Sequence, residues 1–295
     1  MKCSFPEDVT LLRRTKHNVY SGKKVGKAVD ESINVKLLGV RGSLPVNDAA
    51  FMKYGGATSC LFIEAGGEII FLDAGTGILT CPELPTGKRI SILVTHSHID
   101  HILGFPMCPF IYDESYEVNL YLSTREGRDA KAQISALMSN PLWPAGIESV
   151  RAKLTFHDVP ETFEIGGIMV DSMESSHPGG STIYKLTAGG KSLVYATDFE
   201  HDDYNSGRLA AFAQDCSILI YDSQFLDCEY GEKRGWGHST YEEGIKMGAS
   251  CGAGVTVFFH HDPTRTDAQL DEIAKQAEAA EIVCRIGRCG EEITI

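Results

Sequence analysis

Four side chains able to bind a metal ion, His96, His98, Asp100 and His101, fall within the short run Thr95-His96-Ser97-His98-Ile99-Asp100-His101, directly after the apolar segment Ile90-Ser91-Ile92-Leu93-Val94. In extended backbone alternate residues point the same way, so His96 and His98 share a direction, whereas a helix starting near Asp100 turns Asp100 and His101 the other way. One segment can therefore serve two neighbouring ions. Imidazole suits zinc, iron or nickel and carboxylate suits harder ions, so the mixture fits a hydrolytic metal site. Three further candidates each follow an apolar or β-branched run: His177 in Ser175-Ser176-His177-Pro178-Gly179-Gly180, Asp198 after Leu193-Val194-Tyr195-Ala196-Thr197, and His260 after Val255-Thr256-Val257-Phe258-Phe259. His261 is the rival to His260, and His157, with no partner motif, reads as structural.

The order HxHxDH, His, Asp, His resembles the metallo-β-lactamase superfamily, and the resemblance covers nearly everything from Val35 to the C-terminus. Carried over residue by residue, it implies that His96, His98 and His177 hold a first ion, that Asp100, His101 and His260 hold a second, and that Asp198 bridges them. His260 is preferred to His261 because it stands where the family's last ligand ends its strand. The stretch Phe71-Leu72-Asp73-Ala74-Gly75-Thr76-Gly77 resembles the superfamily's first motif, so Asp73 is expected to orient the HxHxDH loop through hydrogen bonds without being a ligand. Gly235-Trp236-Gly237-His238-Ser239-Thr240 resembles the His-Ser-Thr or His-Ala-Thr signature of the ribonuclease Z and cyclic-phosphodiesterase branch. There the histidine is no ligand; it stabilises phosphoryl oxygens and assists the leaving group. The implied cofactors are two divalent ions, zinc by expectation with manganese or iron as alternatives. The implied reaction is phosphodiester hydrolysis, with catalytic roles for His238, Asp100 and Asp198. The same ligands also serve thioesterases of the glyoxalase II type, lactonases, iron persulfide dioxygenases and inactive binding proteins. The segment around His238 argues against the first three, and the complete ligand set against the last.

These residues need a rigid frame. Asn34–Val40 alternates as a strand, Thr58–Glu64 and Glu68–Asp73 read as a hairpin, and Glu117–Leu122 as a strand. Arg125–Met138 has helical spacing before Pro141 and Pro144. Lys153–His157, Thr162–Met173, Thr182–Leu186, Ser192–Ala196 and Cys216–Asp222 form a second series of strands. Two closing helices (Tyr241–Ala249, Asp267–Glu281) and two short closing strands (Glu281–Arg285, Glu291–Ile295) follow. Strands, motif, helix, strands again and helices match an α/β class, a four-layer αββα sandwich with the ligands at one edge. Residues 34–295 form this domain. Residues 1–33, with Arg13, Arg14, Lys16, Lys23, Lys24 and Lys27, read as an N-terminal extension, either a loosely docked arm or a segment packed on the second subunit of a homodimer.

Of the 295 residues 43% are hydrophobic, enough to fill a large core, and no apolar run approaches the length of a membrane span. The first residues lack a signal-peptide pattern, which predicts a cytoplasmic protein. Nine scattered cysteines without a CxxC pair predict reduced thiols. The net charge of −13, from 27 basic and 40 acidic residues, disfavours a nucleic-acid polymer, which is gripped by many Lys and Arg contacts. The stretch from Asp198 to His260 is also too short for a long basic tRNA-binding arm. A small anionic substrate remains, a cyclic nucleotide or related cyclic phosphate above all, with aromatic residues such as Phe105, Phe110 or Trp143 available in principle to stack on a base.

Overall fold

The computed structural model describes residues 32–295, so the expected extension lies, apart from its last two residues, outside the described residues. The first half of the chain runs β1 (Ile33–Gly39), β2 (Cys60–Ala65), β3 (Glu68–Leu72), β4 (Arg89–Leu93), α1 (Ile99–Ile102), β5 (Glu117–Tyr121), α2 (Ala130–Leu137) and β6 (Lys153–His157). The second half opens with β7 (Thr162–Ile165), β8 (Ile168–Ser175), β9 (Ser181–Ala188) and β10 (Lys191–Ala196). It continues through α3 (Asp203–Phe212), β11 (Ile218–Asp222), α4 (Asp227–Tyr230), α5 (Tyr241–Cys251), β12 (Val255–Phe259), α6 (Asp267–Ala277), β13 (Cys284–Ile286) and β14 (Glu292–Thr294).

Two seven-stranded sheets result, in the orders β14-β1-β2-β3-β4-β5-β6 and β13-β12-β11-β10-β9-β8-β7. Each is antiparallel over one half and parallel over the other: β3 to β6 run parallel in the first, β10 to β13 in the second. Parallel strands buried on both faces read as nearly unbroken apolar runs. The pleat then deals the side chains to two cores. Ile90, Ile92 and Val94 pack under the helices of the first half, with Ile102, Phe110 and Ile134, while Leu93 joins Leu37, Ile70, Tyr195 and Phe259 between the sheets. In β11 it is Ile218 and Ile220 that face the inter-sheet core, and Leu219 and Tyr221 that meet Leu209 and Met247 under α3 and α5. The α6 residues Leu270 and Ile273 cover Phe258 and Tyr241. These layers are the expected αββα sandwich.

Several expectations need correction. The helix expected from Arg125 begins at Ala130, because Arg125 and Arg128 exchange backbone hydrogen bonds across a tight turn in which Glu126 and Gly127 both have positive φ. Helix α3 had no counterpart in the sequence reading; of its ten residues only Leu209 is buried, so it carries no apolar stripe to read. The short α4 was missed as well, and α6 ends at Ala277 rather than Glu281. Phe105 and Phe110 lie in the core, and Trp143 is half-buried. His157 is structural, bonded to Asn119 and stacked on Tyr121. Every cysteine among the described residues is a free thiol, and no helix among them is long and apolar enough to cross a membrane.

Candidate metal centre

The parallel strands of both sheets deliver their C-terminal ends to one edge of the sandwich, where β3, β4, β10, β11 and β12 hand over to Asp73, the Thr95–His101 segment, Asp198, the end residue Asp222 and His260. Asp73, Asp198 and His260 each have φ near +60°, a sparsely populated region for residues other than glycine. The strand direction is broken there and the side chain swung across the edge. Gly42 makes room for one of them, since a Cβ at that position would lie 2.4 Å from the His260 ring.

Four groups of ligand-type side chains meet at this edge: His96, His98 and His177; Asp100, His101 and His260; His96, His101 and Asp198; and Asp198, Asp222, His238 and His260, each with its donor atoms within 4.8 Å of one another. Asp198 lies between the first two, with Oδ1 3.7 Å from His96 Nε2 and 3.8 Å from His177 Nε2, and Oδ2 3.1 Å from His101 Nε2 and 3.4 Å from His260 Nε2. Asp100 Oδ2 is 3.1 Å from His260 Nε2 and accepts the Ser43 N–H at 2.7 Å.

The far nitrogens of these rings are occupied. His101 Nδ1 donates to Asp73 Oδ2 at 2.7 Å, His177 Nδ1 to the Gly237 carbonyl at 3.0 Å, His260 Nδ1 to Gln224 Oε1 at 3.1 Å, and His96 Nδ1 to Thr95 Oγ1 at 3.1 Å. Such outer partners orient a ring and leave the inner nitrogen bare. His96 Nε2 and His101 Nε2 are indeed buried with no hydrogen-bond partner. A buried polar atom left so costs about 1–3 kcal/mol, and a cation between these nitrogens and the carboxylates relieves it. Asp73 itself binds no inner nitrogen; buried, it accepts from Thr95 N, Thr95 Oγ1, His101 Nδ1 and Tyr195 OH.

Electrostatics sort the two sides. Burial holds His96, His98 and His177 below the ordinary histidine range, helped for His96 by the neighbouring His101, so each keeps a neutral ring with a lone pair to offer. Burial also pulls on His101 and His260, but there the carboxylates win: Asp198, Asp100 and Asp73 raise His101 far above its usual value, and Asp198, Asp100 and Asp222 raise His260 to about 9. Burial pushes Asp100 and Asp198 up, yet the surrounding imidazoles outweigh it and keep both ionised. The field on this side favours positive charge.

His238 shares the last of these groups with Asp198, Asp222 and His260. It is 8% exposed, and its Nδ1 donates to Asp222 Oδ2 at 2.9 Å. Asp222 was missed as a site residue, although it closes the apolar run Ile218–Tyr221 just as Asp198 follows its own. Fully buried, it also accepts from Asp198 N at 2.8 Å and Ser239 N at 3.0 Å. Glu200 was missed too. Its carboxylate accepts from Tyr230 OH and from the Gly235 and Gly237 N–H groups, which pins the loop that carries His238. Nothing local marks Glu200, because its partners come from distant sequence. Thr240 caps α5, accepting from Glu243 N.

The beta-lactamase superfamily domain model matches residues 69–261, nearly two thirds of the chain and all the ligand-type residues just described. The chain belongs to the metallo-β-lactamase superfamily. A ribonuclease Z of Haloarcula marismortui is 24% identical to it over 299 residues, covering 84% of this chain and 92% of the relative. A ribonuclease Z of Bradyrhizobium diazoefficiens is 23% identical, with coverage of 75% and 88%. Among solved structures, the metallo-beta-lactamase fold protein YhfI of Bacillus subtilis superposes with a TM-score of 0.69 at 18% identity, covering 90% of this chain and all of that one. A diphosphatase of the PhnP family gives 0.66 at 18% identity, with coverage of 90% and 97%. At such identities the superfamily structures speak for the fold.

His260 and His261 part company within this superfamily edge. His261 turns away from the cluster: its Nε2 donates to the Gly287 carbonyl at 2.9 Å, its Nδ1 accepts from Tyr241 OH at 3.0 Å, and burial drives its pKa down to about 3. His260→Ala is expected to remove chiefly one bound ion. His261→Ala should leave metal content unchanged and cost about 1–3 kcal/mol of stability, because Tyr241 OH and the Gly287 carbonyl lose their partner. Metal analysis of both variants, paired with urea unfolding, checks this; metal loss from the His261 variant alone would reverse the assignment.

Proposed function

We propose that this superfamily hydrolase is a phosphodiesterase working with two divalent ions, one held by His96, His98 and His177, the other by Asp100, His101 and His260, with Asp198 shared. Zinc suits the nitrogen-rich donor set, and manganese or iron suits the carboxylates. Bound there, such ions act as Lewis acids that acidify water and offset charge on a phosphoryl group. The chain's own residues do the rest. Asp73, Thr95, Gln224 and Gly237 hold the imidazoles in register. Asp198 and Asp100, ionised and buried, are placed to take a proton from the attacking water. His238, with Nδ1 fixed on Asp222, presents Nε2 to the leaving oxygen as a proton donor or charge clamp.

The observation that carries a phosphoryl substrate is the His238–Asp222 pair beside a complete ligand set; a thioester, whose thiolate departs with less help, has less need of it. The ribonuclease Z relatives support the same chemistry. A small diester is favoured over RNA by the net charge of −13 and by the stretch from Asp198 to His260, which is taken up by α3, β11, α4, α5 and β12 packed on the sheet, leaving no projecting basic arm. The core positions of Phe105 and Phe110 withdraw two of the three aromatic residues available in principle to stack on a nucleotide base.

The test is a side-by-side measurement of kcat/KM for bis(p-nitrophenyl) phosphate, 2′,3′- and 3′,5′-cyclic nucleotides, a lactone, an acyl-glutathione thioester and a precursor tRNA, at matched metal and salt. The diesters are expected to exceed the lactone and thioester. Faster lactone or thioester turnover would overturn the phosphodiesterase. Efficient, salt-sensitive tRNA cleavage with inert small diesters would return the chain to ribonuclease Z chemistry.

A further inference from the structure

A cavity of about 360 Å³ opens beside His96 and His98, bounded by α1, the Arg125–Arg128 turn, α2 and Leu142. That volume lies toward the lower end of the range for small-molecule sites, about 300–1,000 Å³. Its body is aliphatic: Ile99, Ile102, Leu137 and Leu142 line it, and Ile99 and Leu142 are 50% and 68% exposed, which is high for large apolar side chains beside a polar centre. Apart from the two imidazoles, none of the lining residues is aromatic.

Two of the polar side chains of the wall are committed elsewhere, and Ser97, Glu126 and Arg128 complete its polar lining. The Gln133 amide donates to the carbonyls of Ser123 and Arg128, and the Arg125 guanidinium is engaged by both oxygens of Glu174 and by Thr182. A nucleobase is held by stacking on aromatic rings and by hydrogen bonds to its edge. Beyond the imidazoles this wall offers no aromatic platform and has two of its polar groups tied to the protein; Ile99, Ile102, Leu137 and Leu142 give it a continuous choice of aliphatic contacts beside the charges of Glu126 and Arg128.

We propose that this cavity is the subsite for an aliphatic ester arm, which makes the substrate a phosphodiester with one apolar alkyl-type group; the assignment rests on the phosphodiesterase reading above. His238 serves the leaving oxygen from the side of Asp222 and His260, so the arm beside His96 and His98 is the one that stays on phosphorus. Water adds to phosphorus, the bond to the other ester oxygen breaks, and that oxygen leaves with a proton while the alkyl phosphate is retained.

The experiment uses the full chain loaded with zinc or manganese and a series of p-nitrophenyl alkyl phosphates from methyl to hexyl. Burial of each methylene is expected to raise kcat/KM about two- to fourfold. Leu142→Ser, at an exposed position of the cavity wall, should flatten that slope. Binding of methyl phosphate and hexyl phosphate by calorimetry gives a second readout that needs no turnover, and the same preference, lost in the Leu142 variant, is expected. A flat series with flat binding would overturn the subsite, as would a thymidine 5′-(p-nitrophenyl phosphate) that outruns the hexyl ester and is indifferent to Leu142→Ser. If no diester is hydrolysed but hexyl phosphate still binds through Leu142, the phosphodiesterase reading falls and the aliphatic subsite stands.

Discussion

Asp198→Asn is expected to lower occupancy of both ion positions together and to reduce diester turnover by about 10³-fold or more. The expectation follows from the carboxylate's placement, one oxygen toward His96 and His177 and the other toward His101 and His260. An amide keeps the shape and, like aspartate, tolerates the positive φ of this position, so backbone strain is not confounded with lost charge. Losing the carboxylate removes one anionic donor from each group and the negative field that offsets two cations. An ion contributes several kcal/mol of transition-state stabilisation, and each 1.36 kcal/mol is a factor of ten, which sets the scale of the loss. The measurement is metal content after dialysis against buffered zinc, alongside kcat. Retention of one ion at full occupancy would show that Asp198 belongs to one position and is not shared. A saturating stoichiometry of one in the native chain would remove the two-ion arrangement itself.

His238→Ala should leave the metal content unchanged while lowering turnover of an unactivated diester by roughly 10²- to 10⁴-fold, the span typical of a lost proton donor or fixed charge. Nitrophenolate departs with little help, so the loss on a nitrophenyl diester is expected to be smaller. Asp222→Asn should reproduce part of the same pattern, because the His238 Nδ1–H then faces an amide in place of a carboxylate. That second variant has a side effect that must be read separately: Asp222 also accepts from the backbone N–H groups of Asp198 and Ser239, so thermal unfolding belongs beside the kinetics. Equal losses on activated and unactivated diesters would make His238 a phosphate-binding group without an acid role. Loss of metal would make it a ligand.

The local patterns carried a large part of this molecule. The runs Ile90–Val94, Leu193–Ala196 and Val255–Phe259 are legible as strands because both of their faces are buried, and the ligand-type residues are legible because a strand end is where backbone leaves the sheet and a side chain can be aimed at a shared edge. Asp73 was readable through the resemblance of Phe71–Gly77 to the superfamily's first motif, and the closing helices through apolar stripes that pack on the second sheet. What failed had little local signal. Helix α3 buries Leu209 alone and shows no stripe, and the turn at Arg125–Arg128 hid inside helical spacing.

The choice of His260 over His261 was open in the residues themselves, since two adjacent histidines differ there only in which side of the sheet edge they face. The fold gives His261 its own partners in Tyr241 and Gly287 and turns His260 toward Asp100 and Asp198. Asp222 looked like any strand-end carboxylate until the α4–α5 connection laid His238 against it, and Glu200 acquired a role only when a distant glycine loop folded onto it. Composition and spacing along the chain decide which residues are able to bind metal and where strands must end. Which of them meet, which nitrogen stays bare and which wall an arm of the substrate touches depend on contacts between segments far apart in sequence, and those exist only once the two sheets have packed face to face.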